Sequence, residues 1–331
     1  MSMNARRIAA GKLLVKIGAT LFALASTLLG CELNVAEACA IMRSARGAPP
    51  SLSRERALLV FDSTHGVEHF VREAVFKAGT DPFGFVVPTP SRPTVNALKE
   101  SPFGELDTRF PFERPAPQPS HARNGRAVAK RPPTLGVTVL DVTKVGSFTA
   151  FVLAADDTAA LASWLKQNQF EETASTNAWL AHYVSQHFSY VAFRYDVPAS
   201  NTPGDETKSE AVDISFQTDF AYYPYFEPDL GPPDKLPARS LELWYVASSP
   251  TIPIATDSAA SNADALVRPL KEGIFYPDAR TDLSEVWEGA ANLVPSGSLV
   301  VQRFRDDRRS RFGLGDILFA PKHSTSVDAA A

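Results

Sequence analysis

Prolines punctuate this chain from end to end: 26 of 331 residues, about 8% against a usual share near 5%. Each one fixes φ and removes a backbone donor, so it stops a helix and is out of place in a strand hydrogen-bonded on both sides. Helix bundles are therefore excluded, and short elements joined by irregular connections are expected. With 44% apolar and 21% charged residues the chain can still bury one large core or two modest ones.

The amino terminus reads as an export signal. Arg6, Arg7, Lys12 and Lys16 precede an uncharged, mostly apolar run of 14 residues at 17–30, shorter than the about 20 that a membrane-spanning helix needs. Residues 1–38 are expected to be removed or to act as the anchor, and the mature protein to lie outside the cytoplasm, in the periplasm, on the outer-membrane surface or in the medium. Two processing readings stay open. Ala36-Glu37-Ala38 suits ordinary cleavage and would make Cys39 the first mature residue, whereas Leu28-Leu29-Gly30-Cys31 resembles a lipoprotein box with lipidation at Cys31. Both cysteines of the chain are thus near the cleavage region, so no disulfide is expected in the mature domain.

Charge excludes one class of partner. Residues 1–38 hold four of the 33 basic and two of the 37 acidic residues, which leaves the mature chain at net −6. Nucleic acid is a poor partner at that charge. No later segment is apolar enough to span a membrane, so membrane contact is expected only through the signal or an N-terminal lipid.

Hydropathy patterning divides the rest. A β-rich amino-terminal module is expected over 39–111, with strands at 57–62, 67–76 and 83–87 forming a meander and a short helix near 96–103. Residues 112–134 ("FERPAPQPSHARNGRAVAKRPPT") lose the apolar pattern and read as a linker or loop. An α+β module is expected over 135–321, and a tail over 322–331. In it, strands at 137–144 and 147–154 turn about Val145-Gly146. A helix within 156–170 carries Leu161, Trp164 and Leu165 on one stripe, and a second, near 176–186, groups Leu180, Tyr183, Val184 and His187. A strand follows at 190–196. The fold class expected is α+β, mostly antiparallel sheet, with two helices in a ββααβ block.

The stretch "THGVEHF" contains H-x-x-E-H. On a helix, His65, Glu68 and His69 would share one face and supply two zinc ligands with a general base. Gly66 inside that helix and the β-branched and aromatic neighbours Val67, Phe70, Val71 and Val75 argue instead for a hairpin with surface polar residues, in which Glu68 turns away from both histidines. No metal or other cofactor is expected. No G-x-S-x-G elbow and no phosphate-cradling glycine loop is present, so no catalytic residue is assigned. Tyr222, Tyr223, Tyr225 and Phe226 form a proline-punctuated aromatic loop suited to stacking on a sugar or a proline-rich peptide. Arg303, Arg305, Arg308, Arg309 and Arg311 read as a solvated basic hairpin tip.

Several stretches together resemble a bacterial family, domain of unknown function 2330: "EACAIMR" near the mature start, Glu68-His69-Phe70 in the first hairpin, Val87-Pro88-Thr89-Pro90 after the third strand, Val145-Gly146-Ser147-Phe148 with Asp156 and Asp157 following, and "YYPYFEP". The resemblance implies an exported bacterial protein with no assigned reaction. It also implies that His65 lies outside the family pattern, which weakens the zinc reading. The function expected is a non-catalytic cell-envelope or secreted protein that binds an envelope protein or polymer, with a zinc-dependent hydrolase using residues 65–69 as the alternative.

Overall fold

The computed structural model describes residues 41–43, 50–77, 83–112, 137–170, 173–195, 206–258, 265–286, 293 and 297–322. The export signal, Cys31, Cys39, residues 113–134 of the expected linker and all but the first residue of the tail lie outside the described residues. In chain order, β1 (Ile41–Arg43), β2 (Ser51–Asp62), β3 (Val67–Lys77), β4 (Phe83–Thr89) and β5 (Thr94–Ala97) precede α1 (Phe103–Arg109). The middle contains β6 (Thr138–Val145), β7 (Phe148–Ala154), α2 (Thr158–Gln167), α3 (Ala174–Val184), β8 (Ser189–Tyr195), β9 (Glu206–Lys208), β10 (Val212–Gln217) and β11 (Tyr222–Tyr223). The last part holds β12 (Ser240–Ala247), β13 (Thr251–Thr256), β14 (Leu266–Val267), β15 (Lys271–Tyr276), α4 (Arg280–Val286), β16 (Val300–Asp306) and β17 (Ile317–Pro321).

The expected α+β class with two helices in a ββααβ block is corrected by this architecture. Of the described residues 47% are in strands and 18% in helices, and these form three sheets and four helices. The fold is mostly β. Helices α1 and α4 have seven residues each, too few to print a helical period in the sequence. The block is not a unit either, because its last strand, β8, lies between β7 and β4 in a five-stranded antiparallel sheet ordered β1-β4-β8-β7-β6. The expected meander fails for the same reason. β2 and β3 pair as a hairpin at the middle of an eight-stranded sheet, β15-β16-β12-β2-β3-β10-β5 with β9 on β3, while β4 belongs to the other sheet. The short helix expected near 96–103 is β5 followed by α1. Strands before and after the 112–134 segment therefore share both large sheets.

Burial explains why β4 misleads. One face of the eight-stranded sheet (Leu59, Phe70, Phe76, Leu243, Phe304) packs on the five-stranded sheet (Phe85, Phe148, Val152, Phe193) and on a four-stranded sheet, β11-β17-β13-β14, through Tyr223, Ile317 and Phe319. Its other face (Leu58, Val60, Val71, Trp244) is covered by Phe103 and Leu106 of α1 and Leu283 of α4. The outer face of the five-stranded sheet is covered by Leu161 and Trp164 of α2 and by Trp179, Leu180 and Tyr183 of α3. Both large sheets are thus buried on two sides, which makes β4 a continuous apolar run with every residue buried and no alternation to read. His187, which the sequence groups with Leu180, Tyr183 and Val184 on the second helix, is instead exposed just past α3 with φ at 58°.

The prolines inside strands obey the rule stated at the outset. Pro88 pairs with Tyr190 of β8, but β1, the second neighbour of β4, reaches only Phe85. Pro253 pairs with Phe319 of β17, and β14 meets only Ala255 and Thr256. Among the described residues, each proline sits where one side of its strand has no partner strand to receive a donor.

Candidate functional site

The H-x-x-E-H residues come apart in the β2–β3 hairpin. Asp62 accepts from the backbone N–H groups of Thr64 at 2.9 Å and His65 at 3.3 Å, and Gly66 takes φ of 63°, which closes the turn before β3 begins at Val67. His65 is exposed in that turn with Nδ1 2.6 Å from Asp62 Oδ2. Glu68 and His69, adjacent on a strand, face opposite sides of the sheet. His69 Nδ1 lies 3.1 Å from Asp213 Oδ2 on β10. Among the described residues no group of three or more His, Cys, Asp or Glu is placed to hold a metal.

The hairpin was expected to carry surface polar residues, and for Glu68 that is corrected: it is fully buried. Its Oε2 accepts from the Tyr222 N–H at 2.6 Å. Burial pushes its carboxyl well above the usual range, and that one backbone N–H only partly offsets the effect.

The aromatic loop is placed differently from a ligand platform. Tyr222, Tyr223 and Tyr225 are buried, and only Phe226 is half-buried. Asp316 explains the inward turn: it accepts from the hydroxyls of Tyr183 (2.9 Å) and Tyr222 (2.8 Å) and from the N–H groups of Tyr225 and Phe226, both at 2.8 Å. The loop is thereby pinned between α3 and β17, and its rings join the core.

The basic segment also needs correction. Arg305 and Arg308 are exposed, but Arg303 and Arg311 are buried. Arg311 sits among Asp306 (3.2 Å), Glu227 (3.5 Å) and Glu55 (3.6 Å), while Arg72 donates to Glu55 at 2.9 Å and Arg239 to Glu227 at 2.7 Å. Three carboxylates meet three guanidiniums inside the fold. Burial would push Glu55 up, but Arg72 and then Arg311 hold it below its usual value. On the opposite sheet face Arg56, Arg303 and Lys208 meet Asp107, Glu73 and Glu242 in a second network. The sequence signal that was missed is the pairing of Arg54-Glu55-Arg56 with Arg72-Glu73 across the hairpin, where Arg56 stands opposite Glu73. Such matched clusters fix register and leave no spare charge for a ligand.

Among the described residues a cleft opens at the other end of β3. A cleft of about 440 Å³ is lined by His65, Gly66, Pro90, Gln217, Asp219 and Phe220. Three separate segments build it. The Thr218 N–H donates to the Gly66 carbonyl at 2.9 Å, and the Ser91 hydroxyl donates to the Gln217 carbonyl at 2.7 Å. With its nitrogen turned toward the hairpin, the Gln217 carboxamide donates to the carbonyls of Gly66 (3.1 Å) and His65 (3.3 Å). Phe220 is 66% exposed. Sequence reasoning passed over it because it lies next to the Tyr222–Phe226 cluster, whose neighbouring residue Ala221 is buried.

Phe220 adjoins the four-stranded sheet in the chain, since the carbonyl of the next residue, Ala221, accepts from the Phe319 N–H of β17 at 3.2 Å. Leu318 stands opposite Ile254, Ala320 opposite Ile252, and Leu266 opposite Thr256, so outward positions on three strands carry no charge. Leu318 and Leu266 are exposed.

No curated protein matches the chain. Among solved structures, the crystal structure of baculovirus P35 is similar over 82% of this chain and 98% of that chain, at 9% identity and a TM-score of 0.39. The family described as an uncharacterized protein conserved in bacteria, DUF2330, matches residues 35–267. The chain belongs to that bacterial family.

Proposed function

We propose that the protein is an exported, non-catalytic binding protein of the cell envelope or secreted fraction, acting on an envelope protein or polymer. The observation that carries the reading is the exposure of the large apolar side chains Phe220, Leu318 and Leu266 in a molecule that buries Arg72, Arg239, Arg303 and Arg311. Contiguous exposed apolar surface marks interaction sites. The amino-terminal basic and apolar runs support export. The reactive side chains support the absence of catalysis, since they are paired inside the core or diverge, and nothing favours a hydrolase built on His65, Glu68 and His69. Lipidation at Cys31 would tether such a protein to a membrane, and cleavage before Cys39 would release it.

The test is sedimentation of the purified mature protein with isolated bacterial envelopes. The wild type is expected in the pellet, a Phe220→Ser, Leu318→Ser double variant in the supernatant, and an Arg305→Ala control in the pellet. A wild type that stays in solution, or a double variant that pellets equally well, contradicts the reading.

A further inference from the structure

We propose that the cleft beside Phe220 is a subsite for one uncharged sugar ring of an envelope or extracellular glycan. The inference rests on the binding reading above and names the chemical class of its ligand.

Three features point to this occupant. The cleft is preformed: the turn at Gly66, the Ser91 hydroxyl and the Gln217 backbone and side chain tie its walls together, so little ordering is required on binding. Gly66 is needed for that geometry, because its φ is positive and a Cβ there would stand 3.3 Å from the Thr218 carbonyl oxygen. A volume of about 440 Å³ falls within the range of small-molecule sites.

The lining chemistry is that of sugar recognition. The exposed ring of Phe220 offers a flat face, negative at its centre, to the C–H groups on one side of a pyranose. Around it stand planar hydrogen-bonding groups for the hydroxyls. Asp219 brings a carboxylate, and His65, anchored through Nδ1 by Asp62, keeps Nε2 on the other side of its ring. Carboxylates and imidazole line or brace the cleft, and among the described residues no lysine or arginine lines it. Phosphorylated, sulfated and uronate sugars are therefore disfavoured, and a neutral hexose or N-acetylhexosamine fits. The cleft is open to solvent, which lets a polymer continue past the bound ring.

The test is an array of neutral oligosaccharides (glucans, galactans and N-acetylhexosamine oligomers) with sulfated and uronate sets beside them. Calorimetry on any sugar that binds follows, with wild type, Phe220→Ala, Asp219→Asn and, as a control outside the cleft, Phe312→Ala. The expected result is saturable binding of a neutral oligosaccharide, weakened about tenfold or more by Phe220→Ala and Asp219→Asn, unchanged by Phe312→Ala, with all four proteins melting alike. Binding that ignores Phe220, or a preference for the charged sets, overturns the proposal. No sugar binding with Phe220-dependent envelope sedimentation intact also overturns it while sparing the binding reading; loss of both results removes both.

Discussion

Glu55 and Glu68 face the same core from neighbouring strands, and their surroundings push them in opposite directions. Glu55, held below its usual value by Arg72 and Arg311, contributes stability that is present above the unfolded value near 4.5 and is lost as pH falls through its folded value. Glu68, pushed up by burial, contributes stability that is present below 4.5 and is lost as pH rises through its folded value. Replacing Glu68 with glutamine keeps the shape and removes the titration. Urea unfolding should therefore show the advantage of Glu68→Gln over wild type growing with pH above 4.5; a difference that stays flat with pH would mean that Glu68 is ionised in the fold. Arg311 tests the balanced network from the other sign. Arg311→Ala leaves buried carboxylates without their guanidinium and should cost about 3–5 kcal/mol in the same assay, whereas Arg305→Ala at the surface should cost less than about 1 kcal/mol. The histidines are tested by composition: elemental analysis of the dialysed protein should find no stoichiometric zinc, and none that a His65→Ala, His69→Ala variant removes.

At the scale of elements, β4 packs closely against Phe170, just past the end of α2. A Cβ on Gly84 would run into the Phe170 ring and the Phe193 carbonyl oxygen, so Gly84→Ala should cost about 1–3 kcal/mol by thermal or urea unfolding. An unaltered melting temperature would show that Phe170 moves aside freely. The N-cap of α2 is a gentler case. Asp157 accepts from the Ala160 N–H at 2.7 Å, and Asp157→Ala should cost about 1 kcal/mol.

The same elements show what the sequence makes readable. β6, β7, α2, α3 and β8 lie where it places strands and helices, because alternation, a capping aspartate or a glycine turn marks them locally. α1, α4, β13 and the pairing of β4 were not readable. Seven-residue helices carry no period, Pro253 disguises a strand, and a strand buried on both faces looks the same whichever sheet it joins. The candidate site was readable only in part: the hairpin turn at 62–66 follows from Asp62 and Gly66, but the convergence of Pro90, Gln217 and Phe220 on it depends on β10 pairing with β3 across more than a hundred residues.

Over the whole molecule, helices α1 and α4, the eight-stranded sheet, the two smaller sheets, and α2 with α3 follow one another in layers, with charge networks on both faces of the largest sheet. That arrangement pairs the buried ionisable groups inside the fold, and three of the large apolar side chains left exposed, Phe220, Leu266 and Leu318, lie on or beside the four-stranded sheet. In the proposed function, this end of the molecule meets the partner. Hydrogen exchange read by mass spectrometry, on the purified protein with and without isolated envelopes, tests it directly. The account predicts slowed exchange in the 63–66 turn and the 217–221 segment, with α2 and α3 unchanged; protection confined to the α1 and α4 side, or no protection anywhere, would contradict it.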